Sequence, residues 1–313
     1  MKVVFEASAP SNIALIKYMG KSPLGGNRPA NPSLSLTLNH LRSFVTIEAI
    51  DATTDVWEPL SGFPELKLSE GGRKKFLSHF YQLKRHWNLG GHHRVRSAND
   101  FPPDCGLASS ASSFAALTLA TYEMAKSLNP NLKCPPVELS SLSRQGSGSS
   151  CRSFFSPWAE WGDEGAEAWD LDLQLAHAVV VVDDRKKSVS SSEAHQKISS
   201  SLLWQGRPER AKSRLEDLKK SLATSDWRSS YEICWAEFWD MHALFETSRP
   251  AFGYMSKGTL EVLDKCRQIW LHENDGPLVT MDAGANVHLL LREEQISQAA
   301  SWLAGWNYLK SWN

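Results

Sequence analysis

The sequence predicts an α+β fold of two lobes with a ligand cleft between them. Three observations carry this reading. Short strand-like runs alternate with helical patterns up to about residue 184. Beyond that point long amphipathic helices dominate, joined by one strand pair at 278–282 and 286–291. The length of 313 residues accommodates two lobes of roughly 150 residues each. The lobes are expected over 1–184 and 185–313, with the cleft as the default ligand site.

The elements follow in order. Residues 3–8, 12–17, 34–38 and 44–49 read as short strands separated by Gly, Pro and Asn. The stretch 23–32 is a loop, because Gly25, Gly26 and Pro29 cannot continue a helix. Phe76, Phe80, Leu83 and Trp87 recur at helical spacing and predict a helix over 73–87. Residues 94–97 form a further strand, and the Ala/Leu-rich stretch 111–126 favours helix. The run 178–182 is small or β-branched throughout and reads as a buried strand. Helices are expected over 209–222, 227–245 and 257–271. In the second of these, Tyr231, Trp235, Phe238, His242 and Phe245 form an aromatic stripe.

Composition excludes several function classes. The chain has 34 Lys+Arg against 35 Asp+Glu, a net charge of −1, so it lacks the positive excess of a nucleic-acid binder. No apolar run approaches the roughly 18 residues of a membrane span, and Glu6 interrupts what would be the core of a signal peptide. Five scattered cysteines without a CxxC pair fit reduced thiols and a cytoplasmic setting. The ten histidines show no metal-ligand spacing such as HExxH. The 13 tryptophans are compatible with a Trp-rich core or a Trp-lined pocket.

Four segments carry candidate chemistry. The first is the loop Pro103, Asp104, Cys105, Gly106, Leu107, Ala108, Ser109 and Ser110, which opens the Ala-rich helix. Gly106 permits close backbone approach to an anion, and the serines sit at the positive end of a helix dipole. An ordinary serine cap has about equal weight. The second is 146–153, where Ser147, Ser149 and Arg152 suit an oxyanion; a Gly/Ser turn with a surface arginine is the plain alternative. Cys151 within it reads as a buried thiol. The third is 12–21, where Lys17 interrupts an apolar strand and needs a partner if buried. Lys21 follows close by, and solvated lysines on an edge strand remain the alternative. The fourth is 279–286, where Asp282 stands at a strand end before Gly284, as a base or as a turn cap.

In this order the segments resemble the mevalonate diphosphate decarboxylase family of the GHMP kinase superfamily. The resemblance covers nearly the whole chain. It rests on residues 9–21, 31–35, 99–102, 106–110, 146–153 and 282–286. It implies the GHMP kinase fold, ATP and Mg²⁺ as cofactors, and mevalonate 5-diphosphate as substrate. The implied reaction phosphorylates the 3-hydroxyl, then releases phosphate and CO₂ to give isopentenyl diphosphate. By the same resemblance Asp282 faces the 3-hydroxyl and Lys17 keeps it ionised. Arg152 grips the substrate carboxylate with Asn12 fixing its fork, and Tyr18, Lys21, Ser147 and Ser149 hold the diphosphate. The 103–110 loop cradles ATP, with Ser110 on the metal. A homodimer is implied as well.

The chain departs from the family pattern at Met19, where Trp is usual, and at Ala285, where Pro is usual. Asn31 is followed by Pro32, and 190–195 reads Ser-Ser-Ser-Glu-Ala-His where a Gly-Met pair commonly follows the serines. Two alternatives stay open: an enzyme acting on mevalonate or its monophosphate, and a non-catalytic binding protein. The near-zero net charge is expected to hide a cationic cleft of Lys17, Lys21 and Arg152, with Arg28 and Arg144 as further candidates.

Overall fold

Two long antiparallel strands organise the N-terminal half. β1 (Val4–Ile16) pairs with β2 (Ser33–Ile50) over nearly its whole length in the computed structural model, which describes residues 3–101, 109–183 and 188–312. The sequence breaks each of these strands in two, and the structure joins the pieces. The ladder steps from Pro10↔Arg42 to Ser11↔Leu38, so Asn39, His40 and Leu41 are surplus on β2. A bulge at this step accounts for the polar interruption, since Pro10 has no N–H to give the ladder.

The length of β2 lets it pair twice on its other edge. Residues 43–50 run against β4 (His92–Asn99) and residues 33–36 against β5 (Trp158–Trp161). β3 (Val56–Pro59) lies parallel to β4, and β6 (Ala166–Ala168) pairs with β5 at the far edge. Helices α1 (Glu70–His86), α2 (Ser109–Leu128) and α3 (Pro136–Gly146) accompany this sheet. Phe76, Phe80 and Leu83 of α1 and Phe114 and Leu117 of α2 pack on Val45, Ile47 and Val95. Ser69 starts α1 by accepting the Gly72 N–H. No periodicity marks α3 in the sequence, and its serines favour turns as readily as helix.

The second sheet has the order β10-β7-β9-β8 and is antiparallel throughout. Its strands are β7 (Ala176–Val180), β8 (Leu278–Thr280), β9 (Val287–Leu291) and β10 (Tyr308–Lys310). The expected division at 184 falls after β7, whereas β7 pairs with β9 and β10. The change of sheet therefore comes between β6 and β7. The helices of this half are α4 (Ser191–Lys197), α5 (Arg207–Ala223), α6 (Trp227–Glu246), α7 (Lys257–Glu273) and α8 (Ile296–Trp302).

One apolar core runs through both halves. Ile13 and Leu15 of β1 and Leu34 and Leu36 of β2 share it with Val179, Val279, Leu289, Phe238 and Leu263. The Thr280 hydroxyl donates to the Ala14 carbonyl at 3.0 Å, pinning the end of β1 beside β8. Trp158, Trp161, Trp227, Trp270 and Trp302 are buried in cores. That pinned strand end positions the site.

Candidate active site

The chain leaves β1 through Lys17, whose side chain is only 2% exposed. Its amide donates to Glu237 Oε1 (2.9 Å), and its carbonyl accepts from Asn31 Nδ2 (2.9 Å) and Arg207 Nη2 (3.4 Å). Glu237 and Arg207 pair with each other, and Arg207, Arg210 and Arg214 all bond Asp240. The backbone of Lys17 is thus clamped from α5 and α6.

The Lys17 Nζ reaches Asp282 Oδ1 at 2.8 Å. Asp282 lies two residues beyond β8 with its side chain 26% exposed, so the carboxylate meets the lysine and the cavity together. Burial pushes its carboxyl up, but Lys17, His288 and Arg152 together hold it below the usual carboxylate value. Burial also pulls the Lys17 ammonium down, against the opposing pull of Asp282. A buried amine and a part-exposed acid form one ionised unit.

Arg152 belongs to a 3-10 turn, Gly148–Phe154. Its Nε and Nη2 both donate to Asn12 Oδ1, at 3.2 and 3.1 Å, and Nη1 donates to Ser33 Oγ at 2.7 Å. Asn12 Nδ2 donates to Ser153 Oγ (2.9 Å) and the Ser149 carbonyl (3.3 Å), so its oxygen must face the guanidinium. Tyr18 rests between Trp161 and His195, with ring centroids at 4.5 and 4.4 Å. A Cβ on Gly148 would stand 2.7 Å from the Tyr18 ring, so glycine is what lets the turn approach it. Lys21 Nζ is held by Asn27 Oδ1 at 2.8 Å.

These groups surround one open cavity of about 810 Å³, part of it open solvent. Lys17, Tyr18, Lys21, Ser110, Ser147, Ser149, Arg152 and Asp282 all line it, and residues from both halves contribute. Asn12 lies behind Arg152 rather than on the wall. Ser147 Oγ donates to Ser110 Oγ at 3.4 Å, joining α3 to the first turn of α2. Ser109 opens α2 but is not on the wall. Pro103, Asp104, Cys105, Gly106, Leu107 and Ala108 lie outside the described residues. Arg28 and Arg144 do not line the cavity; Arg144 donates to the Gly26 carbonyl at 2.9 Å. Among the described lining residues no tryptophan occurs, which answers the question left by the tryptophan count.

Sequence reasoning missed Lys75, Asn27 and His195 on the cavity wall. Lys75 lies in a run of basic residues that reads as a solvated helix face. It also missed Glu237 and Arg207. For Glu237 a signal existed: it stands between Cys234 and Met241 on the apolar face of α6, where an acid needs a buried partner.

Among the described residues the cavity is walled by four cations and a single carboxylate, beside the start of a 20-residue helix, which suits an enzyme that handles phosphoryl groups. Comparison with known proteins narrows this. Residues 9–170 match the diphosphomevalonate decarboxylase-like N-terminal domain, and residues 177–309 match the mevalonate 5-diphosphate decarboxylase C-terminal domain. The diphosphomevalonate decarboxylase of Ganoderma lucidum is 31% identical over 93% of this chain and 79% of its own length. The crystal structure of a mevalonate diphosphate decarboxylase from Legionella pneumophila is 42% identical, with a TM-score of 0.93 over 98% of this chain and 100% of that one. A structure of MDDEF in complex with MVAPP, AMPPCP and magnesium is 30% identical, with a TM-score of 0.87 over 99% and 96%. The chain belongs to the diphosphomevalonate decarboxylase family.

Proposed function

We propose that the protein converts mevalonate 5-diphosphate and ATP to isopentenyl diphosphate, ADP, phosphate and CO₂. The observation that carries this is the Lys17–Asp282 pair opening on the cavity that Arg152 also lines. A site built only to hold an anion has no use for an ionised acid in its wall.

The residues present fit ATP and Mg²⁺. α2 starts at the cavity with no acid in its first turn, and Ser110 offers a hydroxyl there. Among the described residues no cluster of three or more His, Cys, Asp or Glu forms a protein cage for a metal. Mg²⁺ typically binds through substrate phosphates with few protein groups, which suits Ser110. When bound, ATP supplies the phosphoryl group that turns the 3-oxygen into a leaving group, and Mg²⁺ offsets phosphate charge.

The chain's own residues do the rest. Asp282, kept ionised by Lys17, accepts the proton of the 3-hydroxyl and then faces the positive charge that develops at C3. Arg152, its fork fixed by Asn12 and Ser33, holds the carboxylate that departs as CO₂. The electron pair of the broken C–C bond closes the new double bond as phosphate leaves C3. Tyr18, Lys21, Ser147 and Ser149 hold the diphosphate. Most of the rate enhancement in such a site comes from positioning and fixed charge.

We also propose a cytoplasmic homodimer of two-lobed subunits. The four described cysteines are free and buried, as reduced thiols are, and two-fold dimers are the commonest oligomer. Among the described residues no helix is long and apolar enough to cross a membrane. Light scattering after gel filtration tests the dimer.

The reaction is tested by incubation with ATP, Mg²⁺ and each of mevalonate, its 5-phosphate and its 5-diphosphate, following CO₂ and ADP separately. CO₂ from the diphosphate alone is expected. ADP without CO₂ would make the protein a kinase, and no turnover with any of the three would leave a binding protein.

A further inference from the structure

We propose that His195 is a neutral hydrogen-bond donor, through Nε2–H, to the phosphate end of the substrate, and that it favours a diphosphate over a monophosphate. The inference rests on the substrate class proposed above and adds a residue to its recognition.

The tautomer follows from one contact. The Gly20 amide donates to His195 Nδ1 at 2.9 Å. A backbone N–H can only donate, so Nδ1 carries no proton and the neutral ring carries its proton on Nε2. Gly20 has φ +92°, and a Cβ there would lie 2.2 Å from the Trp204 ring. Only glycine therefore holds this amide in this direction. The ring lies 4.4 Å from the Tyr18 ring and lines the cavity beside Lys21 and Lys75. Among the described residues nothing hydrogen-bonds Nε2, and the ring stands on the cavity wall.

Burial, with Lys21 and Lys75 adding to it, pulls the imidazole down to about 3, so the ring is uncharged at neutral pH. On its own helix Glu193 pairs with Lys197 at 3.1 Å. Lys21 and Lys75 already supply positive charge beside it. His195 adds a donor without a third like charge. With Ser149, Lys21 and Lys75 on the same wall, the cavity offers donors for a second phosphate group as well as the first.

The test compares His195→Phe, His195→Asn and His195→Gln with the parent protein, on the diphosphate and the monophosphate. His195→Phe keeps the ring against Tyr18 and loses both nitrogens. Its KM for the diphosphate should rise about ten- to hundredfold, the loss of one hydrogen bond to a charged group. Its kcat should stay within about twofold, as expected for uniform binding. His195→Gln carries an amide nitrogen to the Nε2 position and should recover most of that loss; His195→Asn stops at the Nδ1 position and should not. Thermal melts identify folded variants, and the Asn–Gln pair decides the matter if the Phe variant does not fold. Side-chain ¹⁵N resonances at pH 7 should show His195 protonated on Nε2. An unchanged KM in folded His195→Phe, a Gln variant no better than Asn, or a proton on Nδ1 would overturn the proposal. If the parent protein releases no CO₂ from the diphosphate, the substrate reading fails instead, and the tautomer result is unaffected.

Discussion

Lys17 Nζ and Asp282 Oδ1 meet at 2.8 Å although 265 residues separate them. The lysine side chain is 2% exposed and the acid 26%, so the pair presents mainly its carboxylate to the cavity. The lysine thus acts on the ligand chiefly through the acid it holds.

Asp282→Asn removes the acceptor and keeps the volume. ATP binding should persist while kcat falls by at least about 10²-fold, the scale of a lost general base. Nucleotide titration and steady-state kinetics separate the two effects. Near-normal turnover would refute the role given to Asp282.

Lys17→Met should move the acid limb of the pH–rate profile. Burial is the largest influence on Asp282 and raises its carboxyl; Lys17 is the largest opposing one. With the cation gone, burial is less opposed and the carboxyl titrates at higher pH. A base must be ionised, so activity should be lost at a higher pH than in the parent protein. A limb that stays in place would show that Lys17 does not set the state of Asp282.

Arg152→Lys tests the carboxylate grip. An ammonium cannot donate twice to Asn12 and also reach Ser33, nor present a planar fork. KM for the diphosphate substrate should rise about ten- to hundredfold. An unchanged KM would remove the assignment.

Glu237→Gln strikes the clamp behind the site. The Arg207 and Glu237 side chains are both fully buried, and breaking such a pair costs about 3–5 kcal/mol. Urea unfolding should show a loss of that order. Stability within about 0.5 kcal/mol of the parent protein would mean that Asp240 alone satisfies Arg207.

The charged residues of the site were legible because each stands where its neighbours do not belong. Lys17 follows an apolar run, and Asp282 and Arg152 sit among small residues. Burial without a visible partner is itself a signal. Asn12, Ser147 and Ser149 became specific only through the resemblance. His195 left no such trace, because its meaning depends on the Gly20 amide 175 residues away. The strand breaks at 8–12 and 38–44 were misread for a related reason. A bulge and the end of a strand look alike until the partner strand is known. Glu237 is readable from its place on the apolar face of α6.

Continuity of the core has a consequence for biosynthesis. β1 is made long before the strand that covers it, since Ala14 bonds Thr280 across 266 residues. At about 5–20 residues per second, a ribosome takes on the order of ten to fifty seconds to span that gap. Throughout it Ile13 and Leu15 lack the later residues of their core, Val279 and Leu289 among them. The nascent chain thus carries a sticky, half-clothed strand until Thr280 emerges, which makes β1 the segment a chaperone has to guard.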